Sequence, residues 1–275
     1  MTEHALRALI TRPGQEADVW VTHLQQRGID ALALPMIEIV AVPDSALLMQ
    51  AWKKLDHYDA LMFVSSNAAN HFFAARPAQC ESLWALAAKA PRAWVTGPGS
   101  RAALLARGVP ASHIDMPAPT AQSLDSEALW LQVQSQIQAG TRILIVRGDT
   151  AAQAAEVAAP GSPQGQGRDW LAVQLQSRGA RVDYVVAYAR RPPLWTVPQR
   201  EIALQSLQRR DVWVWSSSEA LGNLLAAFPG QNWDAAMAVA THARIAQAAR
   251  LAGFGTVALA KPGLAALCAS IESLA

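Results

Sequence analysis

Cysteine is almost missing from this chain: 275 residues carry two, Cys80 and Cys268, at no metal-ligand or redox spacing. That excludes a disulfide scaffold and a zinc ribbon and leaves two reduced, buried thiols. The six histidines, His4, His23, His57, His71, His113 and His242, never pair as metal ligands do, so no metal site is expected. No Lys/Arg run exists, and the formal net charge of +2 is spread along the chain, which argues against a nucleic-acid tract or a membrane-surface patch. No window approaches the roughly 20 apolar residues of a spanning helix. The opening MTEHALRALITRP lacks the apolar stretch of a signal peptide, so a cytoplasmic protein is the expectation. A Gly-x-Ser-x-Gly elbow, a Walker loop and a dinucleotide-binding glycine pattern are all absent.

What is present is a globular composition, 52% apolar and 16% charged, in a chain long enough for one large domain or two modest ones. Short apolar runs alternate with amphipathic helical patterns throughout, the signature of an α/β protein with parallel sheets covered on both faces. Strands are expected at Ala5–Thr11, Tyr58–Val64, Arg92–Thr96, His113–Met116, Arg142–Val146, Arg181–Arg190, Asp211–Trp215, Ala236–Ala240 and Thr256–Ala260. Asp30–Val42 reads as extended, with Pro35 and Pro43 suiting an edge or a connector. Helices are expected between these runs, among them Gln15–Gln26, Ala46–Leu55, Ser100–Arg107, Ser123–Gln136, Asp169–Ser177 and Ala243–Leu251, with Gly28, Gly108 and Gly179 closing three of them. Ala158–Gly167, rich in Gly, Pro and Gln, reads as a mobile loop.

The chain writes its pattern twice. Asp59-Ala-Leu-Met-Phe-Val-Ser-Ser-Asn67 and Asp211-Val-Trp-Val-Trp-Ser-Ser-Ser-Glu219 are both strands that stop on small hydroxyl residues and open into a helix. Arg12 aligns with Arg147, Gly28 with Gly179, Thr96 with Thr241 and Gly108 with Gly253, at shifts of 135 to 151 residues. A period this long is a duplicated domain, not a solenoid.

Candidate ligand contacts follow from the rule that open α/β sheets bind at the carboxyl ends of their strands. They are Arg12, Ser65, Ser66, Asn67, Thr96, Gly97, Ser100, Arg101, Arg147, Ser216, Ser217, Ser218 and Thr241. Each hydroxyl alone is more often a helix cap than a ligand contact. The Thr96-Gly-Pro-Gly-Ser100 segment can be a phosphate loop or a tight turn with its cap at Ser100. Together they make two rims of donors suited to an anionic ligand. Tyr188, one of only three tyrosines, either faces such a rim or packs half-buried on a strand.

These residues resemble the uroporphyrinogen-III synthase family. The likeness is carried by ALITRP at Ala8–Pro13, LALPMIEI at Leu32–Ile39, YDALMFVSSNAA from Tyr58, VTGPGSRAALLARG at Val95–Gly108, ILIVRG at Ile143–Gly148, VDYVVAYAR at Val182–Arg190 and VWSSSEAL at Val214–Leu221. It implies two flavodoxin-like domains joined by a two-stranded linker, with the active site in the cleft between them. The first domain would be discontinuous, 1–34 plus 194–275, the second 41–186, and the hinge strands 35–40 and 187–193.

The resemblance further implies cyclisation of hydroxymethylbilane, a linear tetrapyrrole with eight carboxylates. Ring D is inverted through a spiro intermediate, water is lost and no cofactor takes part. The enzyme would act as a monomer that takes its substrate from hydroxymethylbilane synthase, with no nucleic acid or membrane as partner. Tyr188 is the residue implied as proton donor to the departing hydroxyl. His242 stands where the family often has a small residue, and Trp215 replaces a commoner Phe. A two-lobed intracellular sensor of small anions, binding without catalysis, would share the duplicated lobes; consumption of hydroxymethylbilane separates the two.

Overall fold

Ala8–Ile10 is an apolar run buried on both faces and, with Arg7, forms β1 (Arg7–Ile10). In the computed structural model, described over residues 6–42, 44–80, 84, 90–121, 123–150, 169–261 and 263–274, it lies parallel to β2 (Asp30–Ala33) on one side and β9 (Val212–Trp215) on the other. β10 (Met237–Ala240) and β11 (Thr256–Leu259) complete a five-stranded parallel sheet of order β2-β1-β9-β10-β11. Side chains alternate across it. Leu9, Trp213 and Trp215 face one core with α8 (Ser218–Ala227) and α9 (Ala243–Leu251). Ala8, Ile10, Val212 and Val214 face another with α1 (Gly14–Gln25) and α10 (Leu264–Glu272). The rings of Trp213 and Trp215, two residues apart on β9, stack at 5.4 Å.

The second sheet has the order β3-β8-β7-β4-β5-β6. Its strands are β3 (Glu38–Ala41), β4 (Ala60–Phe63), β5 (Arg92–Val95), β6 (Ile114–Asp115), β7 (Arg142–Thr150) and β8 (Arg181–Arg191). One face carries Ala60, Met62, Trp94, Ile143 and Ile145 against α5 (Ser126–Val133) and α6 (Asp169–Ser177). On the other, Phe63 meets Phe72 of α3 (Ser66–Ala74), and Phe72 stacks on Trp52 of α2 (Ala46–Lys53) at 4.6 Å. α4 (Pro98–Ala106) follows β5, and α7 (Val197–Arg209) follows β8.

By its contacts the chain divides into two compact units, residues 1–39 with 191–275 and residues 40–190. The first shows the flavodoxin order 2-1-3-4-5. The second repeats it if β7 and β8 are counted as first and second, with β3 added at the edge. Each sheet therefore takes its leading pair of strands from one copy of the sequence repeat and its remaining strands from the other.

Several boundaries differ from those read in the sequence. The extended run Asp30–Val42 breaks into β2 and β3 around Pro35, which has no N–H to give a ladder. β7 does not stop at Val146 but runs on to Thr150. The helix read from Ser123 starts at Ser126, where the Asp125 carboxylate accepts the Ala128 N–H at 2.9 Å. Ser100 is no cap: Gly97 holds that place, and Ser100 is buried in the first turn of α4. The stretch 158–167 lies outside the described residues, as does Pro43. Gly28 and Gly179 do close α1 and α6 with φ of +78° and +82°. The following N–H groups of Ile29 and Ala180 reach back to Leu24 and Leu175, so the left-handed turn that glycine tolerates recurs in both copies.

Candidate active site

In the first unit the switch point of the sheet lies between β1 and β9, where successive connections leave in opposite directions. Thr11, just past β1, is buried and donates its hydroxyl to the Val214 carbonyl at 2.6 Å, tying the two strand ends together. Arg12 lies along α1, its guanidinium 3.2 Å from the Glu16 carboxylate and 4.1 Å above the Trp20 ring. Burial lowers its pKa, partly offset by Glu16.

Of the three serines after β9, Ser217 is the cap of α8, accepting the N–H groups of Glu219 and Ala220. Ser216 is half-buried, and the Ser218 hydroxyl is enclosed without a hydrogen-bond partner among the described residues. Thr241 follows β10 and donates its N–H to the Trp215 carbonyl at 3.0 Å. The cap of α9 is His242, whose Nδ1 accepts the Arg244 N–H at 3.1 Å. A histidine thus does the work of a Ser or Asp cap.

In the second unit Ser65 follows β4 and caps α3, its Oγ accepting the Ala68 N–H at 3.1 Å. The same Oγ lies 3.2 Å from the Tyr188 hydroxyl. Tyr188 is not on a free connector; it belongs to β8 and is only 4% exposed. Its ring packs against His71 of α3 at 5.7 Å between centroids. Burial lowers the His71 pKa, favouring the neutral imidazole beside the phenol. Ser66 and Asn67 open α3, while Thr96 and Gly97 lie between β5 and α4 and Arg101 stands in the first turn of α4.

Arg147 is a different case from Arg12. Because β7 runs on, Arg147 falls inside the strand and is buried, 4.0 Å from the Asp149 carboxylate and 4.9 Å over the Tyr184 ring. Its Nε has no partner among the described residues. Asp149, His71 and Gly148 went unmarked in the sequence. A charged Asp inside a strand and a glycine against a distant ring give no local signal.

A pocket of about 220 Å³ opens near Thr96, walled by Met62, Val64 and Ile145 and fronted by Asp125 and Glu127. It is smaller than the roughly 300 Å³ at which ligand sites usually begin, and its two carboxylates repel an anion. The donor-rich surface is instead the set of helix N-termini, where backbone N–H groups are unpaired by the helix itself and the dipole favours negative charge. Among the described residues no group of three His, Cys, Asp or Glu could hold a metal. No helix among them is long and apolar enough to cross a membrane.

A family model described as uroporphyrinogen-III synthase HemD matches residues 18–269. In fold, the chain is similar to uroporphyrinogen-III synthetase from Helicobacter pylori 26695, at 14% identity, TM-score 0.60, 98% of this chain and 100% of that one. It is likewise similar to a mutant uroporphyrinogen III synthase from the extremely thermophilic bacterium Thermus thermophilus, at 17% identity, TM-score 0.55, 98% of this chain and 99% of that one.

Proposed function

Because this chain belongs to the uroporphyrinogen-III synthase family, and so is a cyclising lyase acting on a linear tetrapyrrole, we propose that Tyr188 delivers the proton to the departing hydroxyl. The observation that carries this is the contact of Tyr188 Oη with Ser65 Oγ at 3.2 Å. Ser65 already accepts the Ala68 N–H, so its own proton is free to point at the phenol oxygen. The Tyr188 proton is then left for the substrate. As it departs, negative charge building on the phenol oxygen meets the Ser65 hydrogen bond, which strengthens as that charge grows.

The pyrrole nitrogen pushes the hydroxyl of ring A out and needs no cofactor. The remaining task is positional: to hold the chain so that attack from the substituted carbon of ring D beats direct closure. Backbone N–H groups at the starts of α3, α4, α8 and α9 hold the substrate carboxylates, with Arg12, Arg101, Arg147, Thr96, Ser216, Ser218 and Thr241 around them. The protein acts as a cytoplasmic monomer that receives hydroxymethylbilane from the enzyme making it.

Tyr188→Phe removes the donor and keeps the ring. The rate should fall by about tenfold to a few hundredfold, with KM little changed and the residual product still the type III isomer. Turnover of freshly made hydroxymethylbilane, with the products oxidised and separated by isomer, measures all three. A wild-type rate in this variant would move the proton donor elsewhere.

A further inference from the structure

The Tyr188 hydroxyl reaches Ser65 only because its ring lies flat across β7 at Gly148. A Cβ placed on Gly148 would stand 2.6 Å from Cε1 of Tyr188 and nearer still to Cε2 and Cζ. Carbon atoms do not approach that closely, so any side chain at 148 evicts the ring. The backbone at Gly148 has no positive φ, and an alanine could adopt it without strain. Glycine is therefore required here for space and not for conformation.

The ladder between β7 and β8 points the same way. Its register steps from Arg147 opposite Val186 to Gly148 opposite Tyr188, so Ala187 is an extra residue in β8. A bulge of this kind re-aims the side chain that follows it. Without it, Gly148 would face Ala187 and Tyr188 would face Asp149. The bulge puts the Tyr188 ring beside Gly148, which has no side chain.

We propose that Gly148, with the bulge at Ala187, is a positioning element for the Tyr188 hydroxyl, acting through the ring and touching no substrate. This inference rests on the reading of Tyr188 as proton donor, and its test separates the two. Gly148→Ala should lower kcat by about tenfold to a few hundredfold, like Tyr188→Phe, while KM changes less than about threefold. Its melting temperature should fall by about 3 °C or more, the ordinary result of overpacking in a domain this size. Tyr188→Leu removes the ring atoms that Cβ would strike and still fills the inner part of the space. In that background Gly148→Ala should leave the melting temperature unchanged.

An equal fall with Tyr or with Leu at position 188 would overturn the proposal, since the glycine would then answer to something other than the ring. So would a wild-type kcat in Gly148→Ala. Tyr188→Phe is assayed beside these variants. Should it turn over at the wild-type rate, the proton-donor reading fails, and the socket stands or falls on the melting temperatures alone.

Discussion

Ser65 serves two masters with one oxygen: it ends the N-terminus of α3 by accepting the Ala68 N–H and it meets the Tyr188 hydroxyl. The two duties have different signatures. Loss of the cap costs about 1 kcal/mol of stability whatever stands at 188. Loss of the hydrogen bond to Tyr188 costs rate, and only while Tyr188 has a hydroxyl. Ser65→Ala should therefore slow turnover by at most about tenfold, roughly 1.4 kcal/mol. Added to Tyr188→Phe, it should slow it no further, because the interaction it removes is already gone. Kinetics of the two single variants and the double variant check this. A full multiplication of the two losses would place Ser65 on the substrate independently of the tyrosine.

At the scale of elements, the strand and helix alternation was legible because each strand is a short apolar run bounded by Gly, Pro or hydroxyl residues. Asp169–Ser177 and Ala243–Leu251 stand where the pattern puts them. The failures have physical causes. β7 runs past its apolar core through Arg147 and Asp149, whose charged groups lie 4.0 Å apart and which look, in sequence, like a loop. Ser100 looked like a cap because Ser is a better one than Gly, yet Pro98 suits the first helical position and fixes an earlier start. Tyr188 stands out in the sequence as one of three tyrosines and its role is implied by family likeness, but its surroundings are not legible there, since Ser65, Gly148 and Tyr188 meet only in the folded sheet. His242 offers the test at this scale. His242→Ala should cost about 0.5–2 kcal/mol by leaving the Arg244 N–H without its acceptor, and His242→Asp should restore most of it. Urea unfolding of the three proteins reads the difference; equal stability of His and Ala would mean water replaces the imidazole at no cost.

For the whole molecule, the boundary of folding is not the boundary of the repeat. The segment 38–191 carries every strand of the six-stranded sheet. Produced alone it should unfold in one cooperative urea transition. Residues 1–135, one copy of the repeat, should not, since they lack β7, which stands between β4 and β8. Circular dichroism and tryptophan fluorescence followed through the titration decide both cases. A cooperative fold of 1–135 would show that the strands can pair within a copy after all. The same exchange sets a timetable. Arg7 at the start of β1 and its partner Asp211, just before β9, are 204 residues apart, a gap of roughly 10–40 s at about 5–20 residues per second of synthesis. By then the segment 40–190 has been made entire and can have folded. β1 can thus pair with β2 soon after both are made but must wait for β9, and through that interval the bare side of Ala8, Leu9 and Ile10 must be kept from pairing with anything else.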